Sequence, residues 1–244
     1  MDLREYELMY QVEDSHWWYE GMSTITCSLL DYWVSAKNLR ILDAGCGTGA
    51  AMTRYLSDYG SVTGIDLYAE ALHFCLKRNA KRLARASVLK LPFASNSFDL
   101  ITSFDVLYER AVLDETTALK EFSRILAPNG HVLLRLPAYD WLRGKHDERV
   151  HTNRRYTTRQ VAGLLEKSGL HVQRLSYANT ILFPLAVAKR LSERFFPPNE
   201  DYSELSLNAG MFNNFLKFIL ASEALFITKY GLPFGLSVIA VGRK

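Results

Sequence analysis

Asp43 is followed by glycines at alternate positions, Gly45, Gly47 and Gly49, with Cys46 and Thr48 between them. Glycine tolerates positive φ and lets a ligand approach the main chain closely, so this spacing predicts a tight, backbone-exposed turn that cradles a polar ligand. A second acid, Asp66, ends the short apolar run Ser61-Val62-Thr63-Gly64-Ile65. Its distance from the glycines is that at which a strand–helix–strand nucleotide site places a carboxylate on ribose hydroxyls. A third polar constellation, His146-Asp147-Glu148-Arg149-Val150-His151-Thr152-Asn153-Arg154-Arg155-Tyr156, suits proton transfer and anion binding. Histidine titrates near neutral pH and serves as a base. His146 or His151 is therefore the candidate base, Arg154 or Arg155 the partner of an anionic group, and Tyr156 an orienting hydroxyl. His146 and His151 lie five apart, off the one-face spacing of a helical metal pair, and no metal is expected.

These residues need elements to hold them. Apolar runs predict strands near 39–43, 61–66, 98–103 and 131–136, alternating with helices near 50–59, 68–80 and 114–126. Such alternation predicts a doubly wound, mostly parallel sheet. A helix over 158–168 ends at Gly169, a good residue just past a helix, and a strand follows over 170–176. The segment Glu5–Tyr32 reads as helical, and its charged start without an apolar signal-peptide core leads to the expectation of no secretory leader. The segment carries the aromatic cluster His16, Trp17, Trp18 and Tyr19.

Four ordered motifs in residues 39–136 resemble the class I S-adenosylmethionine-dependent methyltransferases. Asp43, Gly45, Gly47 and Gly49 match that family's first motif and Asp66 its ribose-binding acid. Leu91-Pro92-Phe93 through Phe98-Asp99-Leu100-Ile101 resembles its loop and fourth strand, and Glu121 through Leu133 its helix, proline-glycine turn and fifth strand. The resemblance implies a Rossmann-like, seven-stranded sheet and S-adenosylmethionine as cofactor. It implies Gly45, Cys46 and Gly47 as cradle beside Asp43, Asp66 on ribose, Leu67 against adenine, and Phe104 beside the methionine portion. Ser87 stands where the family commonly has an acid for the adenine amino group, with the Val88 amide next to it. The aromatic run is similar to a segment preceding the core in many bacterial small-molecule members, which implies Trp18 and Tyr19 as packing over the cofactor. Those members often carry an arginine a few residues later for the cofactor carboxylate. Here that stretch reads Glu20-Gly21-Met22-Ser23, so the carboxylate needs another partner. Gly45 to Ala50 also satisfies the dinucleotide fingerprint G-x-G-x-x-A, but Asp43 would set a negative charge against a pyrophosphate.

In the family the sixth strand turns directly into an antiparallel seventh. Here the expected seventh strand is Leu236–Val241, and helices near 180–193 and 208–229 intervene, with a break at Phe195-Phe196-Pro197-Pro198. The expected division is an N-terminal helical lid (1–36), a methyltransferase core (37–177 and 230–244) and a helical cap (178–229). Phe183 and Phe212 are expected to line an acceptor site within this apolar cap. The expected activity is methyl transfer to a small, hydrophobic or lipid- or sugar-linked acceptor. A catalytically silent cofactor-binding protein and a nicotinamide-dependent dehydrogenase are the alternatives. A net charge of +3 without a basic stripe, and no Asn/Asp-Pro-Pro-Tyr tetrad, argue against nucleic acid. Three separated cysteines predict a reduced, cytoplasmic setting. The longest uncharged stretch, Leu175–Ala188, is too short to span a bilayer, which leaves peripheral contact as the expected membrane association.

Overall fold

The computed structural model describes residues 3–144, 147, 151–195 and 210–244. In chain order the strands are β1 (Leu39–Ala44), β2 (Gly60–Asp66), β3 (Leu83–Arg85), β4 (Phe98–Phe104), β5 (Leu126–Pro137), β6 (His171–Ala178) and β7 (Ser237–Arg243). They form one seven-stranded sheet in the order β3-β2-β1-β4-β5-β7-β6. β1 through β5 pair parallel, and β7 runs antiparallel between β5 and β6, with Ala240 opposite both Leu134 and Leu175. Strand order reverses between β1 and β4, and ligands of open α/β sheets bind beyond the carboxyl ends at such a point. The glycine turn leaves β1 there, and Phe104 closes β4 beside it.

Successive residues of a strand point to opposite faces, and both faces are covered. Leu42, Ile101, Leu134 and Ala240 pack under α5 (Glu115–Ile125) and α6 (Thr158–Lys167), where Leu119, Phe122, Val161 and Leu165 are buried. Asp114 caps α5 by accepting from the Thr116 amide at 3.0 Å, and Thr157 with Gln160 forms a capping box on α6. On the other face Ile41, Leu100, Leu133 and Ile239 meet Met22, Ile25, Leu220 and Ile227. Those come from α2 (Trp17–Leu29) and from α8 (Asn213–Ser222) and α9 (Ala224–Lys229). The intervening α7 spans Phe183–Phe195, α3 Ala50–Arg54 and α4 Ala69–Lys77.

Several expected helices are divided, each for a visible reason. The N-terminal helix breaks between α1 (Leu3–Val12) and α2, because Glu13 turns inward and the His16 ring caps α2, accepting from the Trp18 amide at 3.3 Å. The helix after the glycine turn stops at Arg54, and a 3-10 turn over Leu56–Asp58 buries Leu56 in the core. The expected 208–229 helix is split at Glu223. Its carboxylate leaves the helix to accept from the amides of Asn179, Thr180 and Ile181 at 2.7, 2.7 and 2.8 Å. The inserted helices are also bound to α2: Asn213 bridges the Trp17 amide and the Ser15 carbonyl, both at 2.9 Å. Gly21 lets α8 approach, since a Cβ there would lie 2.7 Å from Leu220 Cδ2. The Phe196-Pro197-Pro198 break falls outside the described residues.

Candidate active site

A cavity of about 820 Å3 opens beyond β1 and β4. Every cofactor candidate named from the sequence lines it: Asp43, Gly45, Cys46, Gly47, Asp66, Leu67, Ser87, Val88, Phe104, Trp18 and Tyr19. The turn needs its glycines. Gly45 has φ +87°, and a Cβ there would lie 2.1 Å from Val106 Cγ2. The amides of Gly45 and Cys46 are spent on the Ile65 carbonyl at 2.8 and 2.9 Å, which holds the turn against the end of β2. Asp66 is 8 % exposed; its carboxylate accepts from the amides of Gly47 and Tyr68, both at 3.0 Å. Each carboxylate oxygen keeps a further lone pair for a hydroxyl donor. Burial raises the Asp66 carboxyl above its ordinary value, with those amide donors opposing the rise.

Asp43 is 2 % exposed and accepts from the Thr102 hydroxyl at 2.8 Å. Burial pushes its carboxyl up to about 6, against the pull of the Thr102 hydrogen bond. An acid so placed is stabilised by a cation arriving in the cavity. Ala86, Leu67 and Val88 form an apolar slot on the β2–β3 side, and Ser87 Oγ accepts from the Leu89 amide at 3.2 Å within its own turn. The backbone cradle, the acid for ribose and the apolar slot fit S-adenosylmethionine.

The catalytic and acceptor candidates are dispersed. Arg155 lines the cavity, but its Nε and Nη2 donate to the two carboxylate oxygens of Asp147 at 2.8 and 3.0 Å. Burial opposes ionisation of Asp147, yet the Arg155 guanidinium holds it below the usual carboxylate range. Tyr156 is turned into the core, donating to Glu115 at 2.6 Å, and Arg154 pairs with the same Glu115. His151 is half-buried and does not line the cavity; its carbonyl accepts from the Arg110 amide at 3.1 Å. His146 lies outside the described residues. Phe183 packs among Tyr139, Trp141 and Phe234, and Phe212 is 69 % exposed; neither lines the cavity.

The structure adds residues that the sequence reading missed. Tyr6, Met9 and Glu13 place α1 over the glycine turn, with Met9 Cε 3.2 Å from where a Gly47 Cβ would stand. Glu13, buried, accepts from the Thr48 hydroxyl and from Arg78 at 3.0 Å. Arg135, next to Phe104 in the sheet, lies with its guanidinium 4.7 Å from the Trp18 ring and 5.0 Å from the Phe104 ring. Glu109 also lines the cavity, and burial raises its carboxyl above the ordinary value. Leu182 just before α7, Leu185 and Ala186 at its start and Leu216 of α8 complete an apolar wall.

Residues 42–134 match the methyltransferase-domain family. Demethylmenaquinone methyltransferases of Staphylococcus aureus are 36% identical over 104 residues, covering 40% of this chain and 42% of theirs. The match thus spans less than half the length of those curated relatives. Among solved structures, the methyltransferase of an activator complex from Haloferax volcanii superposes with a TM-score of 0.64 at 20% identity, over 99% of this chain and 93% of that one. Geranyl diphosphate C-methyltransferase from Streptomyces coelicolor, solved with S-adenosyl-L-homocysteine, gives 0.59 at 14% identity, over 88% and 76%. At these identities the superpositions speak to the fold. With its glycine turn, its strand order and a family match that runs from β1 into β5, residues 42–134 carry a methyltransferase domain, and the seven-stranded fold is similar to that of the class I S-adenosylmethionine-dependent methyltransferases.

Proposed function

We propose that this chain transfers a methyl group from S-adenosylmethionine to a small, largely apolar acceptor such as an isoprenoid or another lipid-linked metabolite. The carrying observation is the convergence of all the cofactor candidates on one cavity that also has an apolar wall from α7 and α8. Demethylmenaquinone and geranyl diphosphate, after which two of the similar proteins are named, both carry prenyl chains, which supports an acceptor of that class. Lining side chains of α7 are continuous with exposed ones: Leu185 lines the cavity and is itself exposed, and Met211, Phe212, Phe215 and Phe218 are exposed on and before α8. Peripheral contact with a lipid surface belongs to the same proposal, as does the division into lid, core and cap.

Bound in the cavity, S-adenosylmethionine supplies an electrophilic methyl group and leaves as a neutral thioether. The chain supplies position. Gly45 and Gly47 shape the turn, Asp66 takes the ribose hydroxyls, and Asp43 offers negative charge to the cationic end. Trp17, Trp18 and α1 exclude water. An oxygen or nitrogen acceptor also gives up a proton. Residues 151–153 are tied to 108–110, with Thr152 bridged to Glu109 and the Asn153 amide donating to the Tyr108 carbonyl at 2.8 Å, which supports a base from one of these two segments. Glu109 and His151 are the described candidates for the base; His146 remains the third.

The test is transfer of labelled methyl from S-adenosylmethionine to a prenylated phenol and to its chain-free analogue. The expected result is transfer to the prenylated compound, with Leu185→Asp raising its KM and leaving the affinity for S-adenosylhomocysteine unchanged. Replacing the true base should lower kcat by about 10²–10⁴-fold and flatten its rise with pH. Cofactor binding with no transfer to any apolar acceptor contradicts the proposal and favours a silent binding protein.

A further inference from the structure

Arg135 lines the cavity with a guanidinium that the described residues do not fully use. Arg135 enters from β5 and is only 11% exposed. Its guanidinium lies over the rings of Trp18 and Phe104, 4.7 and 5.0 Å from their centroids. Two aromatic rings at this range attract the cation and favour its charge. Nε donates to Asp105 Oδ2 at 2.6 Å, which fixes the rotation of the group. No hydrogen bond among the described residues uses its two terminal nitrogens. A planar guanidinium with Nη1 and Nη2 left over is shaped for a carboxylate, which takes two parallel N–H donors.

Arg54 and Arg155, which also line the cavity, are committed elsewhere. Arg54 gives Nη1 to the Glu13 carbonyl at 3.0 Å and lies 3.7 Å from both Asp14 and Glu20. Arg155 is clamped on Asp147 and also donates to the Ala138 carbonyl at 3.1 Å. Around Arg135 the sign of the field also discriminates. Asp43 and Asp66, both in the cavity wall, oppose an anion near the glycine turn, so an anionic group needs a dedicated cation to offset them.

We infer that Arg135, packed on Trp18 and Phe104, is the anchor for the carboxylate at the amino-acid end of S-adenosylmethionine. The inference rests on the cofactor reading above. It gives that carboxylate a partner on β5, in a chain whose residues 20–23 contain no arginine. It also assigns Trp18 a role: its ring holds the fork that holds the ligand, so the aromatic segment acts on the cofactor through Arg135. The Asp105 pair keeps the isolated guanidinium from repelling the sulfonium next to it.

Two ligands separate the contributions. S-adenosylhomocysteine carries the carboxylate, and 5′-methylthioadenosine lacks the whole amino-acid end while keeping adenine, ribose and sulfur. Both are titrated into the full chain and into Arg135→Gln, Arg135→Lys and the double variant Arg135→Gln/Asp105→Asn. The expected result is a loss of about 10–100-fold in affinity for S-adenosylhomocysteine in Arg135→Gln, the range of a charged hydrogen-bond pair. Arg135→Lys should recover part of it, because it keeps the charge without the fork. Methylthioadenosine should bind all forms alike, which also shows that the cavity remains folded. The double variant removes the orphaned Asp105 and should lose S-adenosylhomocysteine affinity all the same. Unchanged affinity for both ligands overturns the assignment, and an accompanying rise in acceptor KM would give the fork to an acidic acceptor instead. An equal loss for both ligands also overturns it, leaving Arg135 a structural strut. Wild-type chain that binds neither ligand overturns the cofactor reading and this assignment with it.

Discussion

Asp43 is the residue whose chemistry depends most sharply on its surroundings. It is buried at the end of β1, and its carboxyl is pushed up to about 6. Its folded value lies above its unfolded one, so its ionisation opposes folding. That cost is absent below about pH 4, grows between about pH 4 and 6, and is fully present above, amounting to about 3 kcal/mol. Asp43→Asn should therefore gain stability over wild type as pH rises through this window, seen as a widening gap in urea midpoints. Cofactor binding should run the other way. A cation in the cavity favours the carboxylate, so binding below about pH 6 must release a proton and weakens as pH falls. In Asp43→Asn that pH dependence should disappear. A wild-type affinity that is flat from about pH 5 to 8 would remove Asp43 from the site.

At the scale of elements, the join between α1 and α2 does the positioning. Glu13 closes onto Thr48 inside the glycine turn and onto Arg78 after α4, so three segments far apart in sequence meet at one buried carboxylate. Removing Glu13 strips Thr48 and Arg78 of a buried acceptor while Asp14 still pairs with Arg78 at 2.9 Å, and the cost is about 1–3 kcal/mol. Glu13→Ala should speed amide hydrogen exchange across α1 and the start of α2, while β1 and β4 stay protected. Exchange unchanged in α1 would mean that its packing through Tyr6 and Met9 is sufficient to hold it. This junction also marks what the sequence could show. β1, the glycine turn and Asp66 were legible because strand, turn and acid are consecutive, local signals. The pairings Glu13–Thr48–Arg78, Glu223 with the amides of residues 179–181, and Arg135 with Trp18 and Phe104 depend on tertiary approach, and no local pattern announces them. β3 was missed because it has three residues, Leu83–Arg85, following two basic ones. The polar loop ending in Tyr156 looked like chemistry by composition. In the structure Arg154 and Tyr156 are spent on Glu115, and Arg155 on Asp147.

Across the whole molecule, the insertion between β6 and β7 serves both core and cavity. α8 and α9 cover the sheet beside α2, and α7 with Leu216 walls the cavity. In the proposed function the nucleotide end and the acceptor end share this cavity but draw on separate elements, the first on β1–β4 turns and the second on the insertion. No helix among the described residues is long and apolar enough to cross a membrane. The central claim is that this cavity takes S-adenosylmethionine, and calorimetric titration of the full chain with S-adenosylhomocysteine tests it most directly. One site of micromolar affinity is expected, weakened by about 1.5–3 kcal/mol in Asp66→Ala, the range for a charged hydrogen bond. Absence of binding by folded wild-type chain, or equal affinity in folded Asp66→Ala, would contradict it.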